Sequence, residues 1–186
     1  MLLKMSNQFK NLDGPMVELM AMLQTREWRA DQQQTMLTAQ PQATMIWSST
    51  RIPGPIKTGT HLTTKYQAIA TGMMNKYGDQ VITAGSFQRP TGFEFYLLVD
   101  RPAAQVKQEL VTFEQETKFG QLCDLDVLTL GTTGLVHVSR EQLMLPRRKC
   151  LVCGGDAKVC SRSRAHTLIE MQRVVDEIIA EGWREV

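Results

Sequence analysis

Two aspartates separated by one apolar residue are the first candidates for chemistry in this sequence. Asp124 and Asp126 alternate with Leu125 and Val127 in a segment rich in strand-forming residues. Side chains alternate between the two faces of a strand, so both carboxylates would share one face. Two like charges this close repel unless a cation lies between them, and oxygen ligands favour a hard ion such as Mg²⁺. The pair predicts a magnesium site of the kind that neutralises a triphosphate, although a strand with a solvated acidic face has the same pattern.

A second candidate is a cysteine-rich run near the C-terminus. Cys150 and Cys153 have the C-x₂-C spacing that lets two thiolates bind one Zn²⁺, and Cys160 and His166 can complete a tetrahedral set. The intervals after the C-x₂-C pair are shorter than in common zinc modules. A structural zinc, a redox pair and three packing thiols all remain open. A catalytic zinc is disfavoured because the protein would fill all four positions.

The same run is strongly basic. It contains six of the chain's 21 basic residues and a single acid, Asp156. Guanidinium groups match phosphate oxygens in bidentate fashion, so the cluster suits a polyphosphate ligand. A nucleic-acid surface is disfavoured because interleaved aromatic residues are absent, and a solvated basic face remains the simplest alternative. The basic residues are Arg147, Arg148, Lys149, Lys158, Arg162 and Arg164.

A third candidate is the loop Pro53-Gly-Pro-Ile-Lys57, which follows Arg51. Its prolines restrict the backbone, Gly54 allows close approach of the backbone to a ligand, and Lys57 offers a point charge to a phosphate. A rigid connector is the alternative interpretation of this segment taken alone.

The elements that must position these residues indicate an α+β protein with a mixed or antiparallel sheet flanked by helices. The length of 186 residues suits a single domain. We expect an N-terminal helix at about 13–34 with Asp13 as its N-cap and Met16, Leu19, Met20 and Leu23 on its apolar face. An α+β core at about 44–140 and a Cys/Arg-rich segment with a C-terminal helix at about 145–186 would follow. Within the core, we expect strands near 44–47, 81–84, 93–99, 125–130 and 135–138, a helix whose apolar face is Leu62, Tyr66, Ile69, Met73 and Tyr77, and a helix after Pro102.

Composition excludes several classes of protein. The 21 Lys and Arg residues nearly balance the 19 Asp and Glu residues, and a net charge of +2 does not predict nucleic-acid or membrane-surface binding. The apolar runs are shorter than the ~20 residues that a membrane span needs. The N-terminal residues lack the apolar stretch of a signal peptide, so we expect a cytoplasmic protein.

In combination, these segments resemble the citrate lyase holo-[acyl-carrier protein] synthases, also called apo-citrate lyase phosphoribosyl-dephospho-CoA transferases. The resemblance covers most of the chain in the same order and at similar spacing, and the run from Leu145 to His166 is its most specific part. The segments that carry it are Pro53–Lys57, Thr91-Gly92 with Glu94, Gly120–Val127, Ser139-Arg140 and Leu145–His166.

The resemblance implies a nucleotidyltransferase-type enzyme. By analogy with nucleotidyltransferases, the two aspartates separated by one apolar residue would lie on a central strand of the sheet. Such an enzyme transfers the phosphoribosyl-dephospho-CoA group of 2′-(5″-triphosphoribosyl)-3′-dephospho-CoA to a serine of the acyl-carrier subunit of citrate lyase, and pyrophosphate leaves. Asp124 and Asp126 would hold Mg²⁺, and Arg147, Arg148, Arg162, Arg164, Lys57 and Gly54 would contact the donor. The general base stays open between Asp124 and Asp126, with Glu94 or Asp100 as a third carboxylate if their strand lies beside Asp126.

The sequence departs from the family pattern at a few positions. Thr117, Lys118 and Gln121 occupy a stretch in which members usually carry His-Pro-Leu-Gly-Arg-Leu, and Phe93 replaces a proline. Lys118 is the available substitute for the missing arginine charge. Two other functions remain open: the same transfer to another carrier, such as that of malonate decarboxylase, and a non-enzymatic zinc-stabilised module that binds anions.

Overall fold

In the computed structural model, which describes residues 9–182, five strands form one fully antiparallel sheet. Their order across the sheet is β2-β3-β1-β4-β5, so β1 lies in the centre between β3 and β4. This confirms the expected α+β class with an antiparallel sheet. The strands are β1 (Thr44–Thr50), β2 (Val81–Arg89), β3 (Gly92–Val99), β4 (Cys123–Gly131) and β5 (Gly134–His137).

Helices flank the sheet on both faces. Residues of α2, α3 and α5 pack with one face of the sheet in the larger hydrophobic core, whereas Leu37 of α1 packs with Trp47 on the other face. The helices are α1 (Leu19–Ala39), α2 (Thr60–Tyr77), α3 (Ala103–Glu116), α4 (Ala157–Ser163) and α5 (Leu168–Glu181).

The periodicity of α2 predicted its packing correctly. All five residues of its expected apolar face are buried, and the helix ends at Gly78, whose φ of 47° favours glycine. A helix with such a regular stripe can pack in one orientation only, which explains why this prediction succeeded. The buried residues are Leu62, Tyr66, Ile69, Met73 and Tyr77.

The N-terminal helix expected at 13–34 lies at Leu19–Ala39 instead, and Asp13 is not its cap. The preceding segment pairs with the proline-containing loop: Gly14 N donates to Thr58 O, and Val17 N donates to Pro55 O. These hydrogen bonds hold the segment out of the helix. Asp13 instead accepts hydrogen bonds from the backbone N and Oγ1 of Thr60, at 2.7 and 2.9 Å, at the start of α2.

The apolar face expected for this helix is also wrong. Met16, Leu19 and Met20 are 71%, 73% and 62% exposed, and Leu23 is 38% exposed. The buried residues of α1 come later, at Thr25, Gln33 and Leu37, because only that part of the helix crosses the sheet. Leu168 at the start of α5 is likewise exposed.

Within residues 9–182, no helix has the length and apolar character needed to cross a bilayer. The first eight residues, on which the expectation of a missing signal peptide depends, lie outside the described part of the chain.

Candidate active site

The two aspartates of β4 share one face of the sheet, as their spacing predicted. Leu125 and Val127 are each 1% exposed and belong to the larger core, so Asp124 and Asp126 point to the opposite face, on which α1 packs. Their neighbours on the central strand are Ser49, opposite Asp124, and Trp47, opposite Asp126.

Asp126 is in an unfavourable position for a charged carboxylate. Burial raises its pKa above the ordinary value and the negative charge of Asp124 raises it further, while Lys107, His137 and Arg148 act in the opposite direction. Among the described residues, no side chain donates a hydrogen bond to Asp126. A carboxylate held in this way has capacity for a proton or a cation.

Asp124 belongs to a network of ion pairs that passes through a buried glutamate. Arg148 donates through Nη1 to Asp124 Oδ1 at 2.9 Å and through Nη2 to Glu114 Oε1 at 2.7 Å. Glu114 also accepts from Arg140 and from the backbone N of Leu125. Burial alone would lower the pKa of Arg148, but the charges and hydrogen bonds of Glu114 and Asp124 raise it above its ordinary value.

Glu114 was not among the site residues predicted from the sequence, although the sequence contained a signal for it. Glu114 follows Val106 and Leu110 at helical spacing, so it lies on the buried face of α3 and is 3% exposed. A charged residue in an apolar helical stripe needs a partner of opposite charge. The missing information was the identity of that partner, because Arg148 lies 34 residues further along the chain.

Glu94, considered above as a third carboxylate, lies on β3, and β1 separates that strand from β4. Its two oxygens accept from Arg29 at 2.7 and 2.8 Å, and Trp47 Nε1 donates to it at 2.6 Å. These contacts give Glu94 a positioning role for Arg29. Asp100 directly follows the end of β3 that pairs with the start of β1, far from Asp124 at the opposite end.

Arg29 was also missed, and its charge acts on the acidic pair. Burial alone would lower its pKa, but the hydrogen bond and charge of Glu94, followed by the charges of Asp126 and Asp124, raise it above the ordinary value. The apolar pattern of α1 offered no signal for this residue, because the face that packs on the sheet differs from the expected one.

Two cavities meet at Asp124. One has a volume of 890 Å³ and the other 710 Å³, and both are lined by Arg51, Asp124, Ala157 and Ser161. Volumes of this size suit a ligand of cofactor dimensions. We call the two cavities together the basic groove.

Positive charge dominates the lining of the basic groove. The larger cavity has six basic lining residues against Asp124, Glu141 and Asp156, and the smaller has five against Asp124 alone. Such a lining attracts a polyanion and would repel a second cationic protein surface. The basic residues are Arg51, Arg140, Arg147, Arg148, Lys158 and Arg162 in the larger cavity, and Arg26, Arg29, Arg51, Lys57 and Arg164 in the smaller.

Arg51 is the basic residue of the groove with an unmet hydrogen-bonding requirement. Its Nη1 is buried, and no partner for it occurs in the described part of the chain. Burial lowers the pKa of Arg51, and the neighbouring charge of Arg148 lowers it further. An arginine in this state gains both charge compensation and a hydrogen bond when an anion binds.

The other residues predicted to bind phosphate lie at different parts of the groove. Arg147 and Arg162 line the larger cavity, and Arg147 also pairs with Asp156 at 3.1 Å. Arg164 and Lys57 line the smaller cavity. Lys57 Nζ donates to Ile52 O at 2.7 Å, and burial, followed by the charge of Arg26, lowers its pKa.

Gly54 allows the loop to approach α5 closely, whereas we expected it to allow close approach of a ligand. Its φ is 87°, and a Cβ at this position would lie 2.5 Å from Gln172 Nε2 of α5. Gly54 does not occur among the lining residues of either cavity. It lets the proline-containing loop pack against α5, and this packing supports Lys57 at the edge of the groove.

The residues that differ from the family pattern have structural contacts of their own. Lys118 pairs with Glu181 of α5 at 3.0 Å and does not line the groove. Thr117 Oγ1 accepts from the backbone N of Gly120 at 2.9 Å, and Phe93 is buried in the core.

A second site lies in the wall of the smaller cavity, where three cysteines and one histidine could hold a metal ion. One ligand atom from each of Cys150, Cys153, Cys160 and His166 lies within 4.8 Å of the others. Cys153 Sγ and Cys160 Sγ are 3.5 Å apart. The set predicted from the sequence therefore comes together in space.

Comparison with known proteins places the chain in a family. The family model of apo-citrate lyase phosphoribosyl-dephospho-CoA transferases matches residues 17–182. A Streptococcus pyogenes serotype M18 protein, named a probable apo-citrate lyase phosphoribosyl-dephospho-CoA transferase, is 33% identical over 167 residues, covering 89% of this chain and 87% of the relative.

Two further relatives match this chain over a smaller share of their own length. The Leuconostoc mesenteroides subsp. cremoris protein CitXG is 33% identical over 168 residues, which are 89% of this chain and 36% of that protein. A Vibrio cholerae serotype O1 (strain M66-2) protein with the same name as the streptococcal relative is 32% identical over 107 residues, which are 57% of this chain and 58% of the relative. The chain therefore belongs to the family of apo-citrate lyase phosphoribosyl-dephospho-CoA transferases.

Proposed function

We propose that this protein transfers the phosphoribosyl-dephospho-CoA group from 2′-(5″-triphosphoribosyl)-3′-dephospho-CoA to a serine of the apo acyl-carrier subunit of citrate lyase and releases pyrophosphate. Family membership supports the transferase class, and the names of the relatives supply the transferred group and apo-citrate lyase as the acceptor. The triphosphoribosyl donor, the acceptor serine and the pyrophosphate product follow from the resemblance described above. The observation that carries the proposal is the position of Asp124, at the point where two cavities lined by basic residues meet.

The chemistry of the donor fits this arrangement. A triphosphate needs several cationic groups, and the groove supplies them on both sides of Asp124. In an in-line displacement, the attacking oxygen and the leaving group lie on opposite sides of the phosphorus. Because Asp124 lines both cavities, the serine and the leaving pyrophosphate would approach the α-phosphorus from separate sides of this carboxylate.

The carboxylates of β4 fit a magnesium ion. Their donor set consists of oxygen only, they share one face, and Asp126 has a raised pKa with no hydrogen-bond donor among the described side chains. When bound, Mg²⁺ would neutralise the charge that develops on the phosphate oxygens. Asp124 and Asp126 would hold the ion.

The remaining steps belong to side chains of this chain. Arg51 and Arg148 hold the phosphates, and Glu114 and Asp124 orient the Arg148 guanidinium. The serine oxygen bonds to the α-phosphorus while the bond from that phosphorus to the pyrophosphate oxygen breaks. The proton of the serine hydroxyl passes to a carboxylate of the β4 pair.

The cysteine and histidine cluster has a structural role in this proposal. A tetrahedral ion bound by three thiolates and an imidazole has no position left for a substrate. Zinc at this cluster would therefore leave the transfer chemistry to the β4 carboxylates.

Pyrophosphate release tests the proposed function. We expect release only when the donor, Mg²⁺ and apo carrier are all present, and none with a carrier whose acceptor serine is replaced by alanine. Parallel reactions with citrate lyase and malonate decarboxylase carriers identify the acceptor, and faster release with the latter would contradict the proposed carrier. Release at an equal rate without any carrier would contradict the transfer itself.

A further inference from the structure

The segment that contains the cysteine and histidine cluster has almost no hydrophobic core of its own. Of residues 147–166, only Cys150 is buried, and no residue of α4 is buried. A segment of this length gains little from burial of apolar surface, and small units of this kind usually need a metal or disulfides to hold one conformation. Something other than apolar packing must therefore fix its shape.

Backbone hydrogen bonds shape the segment around Cys150. Cys150 O accepts from Gly154 N at 3.0 Å, and Cys150 N donates to Gly155 O at 2.7 Å. Gly154 has a φ of 72°, which closes a tight turn. This turn presents the Cys150 and Cys153 side chains to the same side, where the remaining two ligands come from the middle of α4 and the loop after it.

The distances suit tetrahedral coordination. Two sulfur ligands at about 2.3 Å from a zinc ion lie roughly 3.8 Å apart in a regular tetrahedron. The 3.5 Å between Cys153 Sγ and Cys160 Sγ and the 4.8 Å limit for the whole set are close to this value. The distances are also much longer than the roughly 2.05 Å of a disulfide bond.

His166 supplies an independent observation. Its Nε2 atom is buried and has no hydrogen-bond partner in the described part of the chain. A buried polar atom without a partner is unfavourable unless a bound ligand satisfies it. One of the two nitrogen atoms of His166 lies within the four-residue cluster, so a metal ion is the ligand that this histidine fits.

We propose that Cys150, Cys153, Cys160 and His166 bind one structural Zn²⁺ and that this ion holds the two halves of the arginine-rich wall of the groove together. Three thiolates and one imidazole form a ligand set that zinc favours over Mg²⁺. Arg147 and Arg148 lie three and two residues before the first ligand, and Arg162 and Arg164 lie between the third and the fourth.

The proposal links metal binding to the shape of the groove. Arg148 reaches Asp124, and Ala157 and Ser161 of α4 line both cavities. Without the ion, the turn at 150–155 and α4 lose the attachment that the ligands provide, and the arginine-rich wall keeps only weaker constraints such as the ion pairs of Arg147 and Arg148. The consequence for the donor rests on the proposed function, whereas the zinc site and its effect on this segment do not.

Metal analysis of the full-length protein, purified under reducing conditions, tests the zinc site. We expect one zinc per chain in the wild type and in Cys123→Ala, and loss of zinc in Cys153→Ser and in Cys160→Ser. Cys123 is the suitable control because it is a buried cysteine outside the cluster. His166→Ala should weaken zinc binding by more than the roughly 10- to 100-fold that loss of a supporting contact costs.

Cobalt provides a readout that does not depend on the variants folding. The chelated wild-type protein should take up one Co²⁺ and show the intense visible absorption of a tetrahedral thiolate site. A folded wild type that contains no zinc and takes up neither zinc nor cobalt would overturn the proposal. A Cys153–Cys160 disulfide, detected by alkylation under non-reducing conditions and mass spectrometry, would overturn it as well.

Amide hydrogen exchange tests the effect on the groove without any substrate. Removal of zinc should increase exchange in residues 147–166 and leave β1 and β4 protected. Zinc that binds at one per chain but leaves the exchange of this segment unchanged would contradict the structural role. Because no donor or carrier is used, this result is independent of whether the proposed transfer occurs.

Discussion

At the scale of single residues, charge placement was only partly predictable from the sequence. The spacing of Asp124 and Asp126 fixed their shared face because strand geometry has a period of two. The partners of Asp124 were not predictable, since Arg148 and the buried Glu114 reach it from distant parts of the chain. Local spacing determines which way a side chain points, whereas tertiary packing determines what it meets.

Asp126→Asn should make the magnesium-free protein more stable at neutral pH. The raised pKa of Asp126 means that folding favours the protonated carboxyl, so its contribution to stability is full below its ordinary pKa and falls as pH rises through the raised value. Asparagine stays neutral and avoids this loss. The difference in melting temperature between variant and wild type should therefore grow between pH 4 and pH 7.

Asp124→Asn is the matched control for this measurement. The Asp124 carboxylate accepts a charged hydrogen bond from Arg148, so replacing this carboxylate should lower stability at neutral pH. If Asp126→Asn also unfolds at a lower temperature than the wild type at pH 7 without Mg²⁺, the described electrostatics of the acidic pair are wrong.

Arg51→Met should weaken donor binding without destabilising the protein. The Arg51 side chain is half-buried and its Nη1 is buried without a partner among the described residues, so the folded protein loses little when the charge is removed. A charged hydrogen bond to phosphate contributes about 1.5–3 kcal/mol, which corresponds to a roughly 10- to 150-fold increase in Kd for the donor. Calorimetric titration and thermal unfolding together measure both effects.

Arg51→Lys separates shape from charge at the same position. Lysine lacks the planar fork of donors, so it should restore only part of the affinity. Unchanged donor binding in Arg51→Met would remove Arg51 from the phosphate site.

At the scale of helices and strands, regular apolar periodicity predicted the position of a helix well, whereas a candidate capping residue predicted the start of a helix poorly. α2 lies where its stripe placed it, but Asp13 caps α2 instead of the helix that follows it in sequence. The sequence around Asp13 has the local features of a helix start. Long-range pairing of residues 14–17 with the loop at 55–58 overrides them, and no local signal reports such pairing.

Asp13→Ala should lower the free energy of unfolding by about 1 kcal/mol, as expected for loss of a cap at a helix start. Asp13→Asn retains an acceptor for the Thr60 backbone N and should lose less. Chemical denaturation of the two variants measures this difference. Equal stability of Asp13→Ala and the wild type would show that the contact to α2 contributes nothing.

Glu114→Ala should be strongly destabilising because it leaves the charges of Arg140 and Arg148 without their buried partner. Breaking a buried ion pair in this way costs about 3–5 kcal/mol. The control is Glu116→Ala, two residues further along α3, where the side chain is exposed and the change should stay within about 0.5 kcal/mol. Denaturation curves that coincide for the two variants would contradict the role given to Glu114.

At the scale of the whole molecule, the groove arises from five distant parts of the chain. Parts of its wall come from α1, the proline-containing loop, the acidic end of β4, the segment after β5 and the cysteine-rich segment. The sequence predicted the basic character of the cysteine-rich segment, and the family resemblance connected several of the parts. The sequence did not predict that Asp124 lines two cavities, because this depends on how the cysteine-rich segment folds back over the sheet.

The most direct test of the central claim is the intact mass of the apo acyl-carrier subunit of citrate lyase after incubation with this protein, Mg²⁺ and the triphosphoribosyl donor. The carrier should gain the mass of one phosphoribosyl-dephospho-CoA group. With Asp124→Asn the rate of this increase should fall by about 10²–10³, as when a group that stabilises transition-state charge is removed. An unmodified carrier after incubation with folded wild-type protein, or an equal rate with Asp124→Asn, would contradict the central claim.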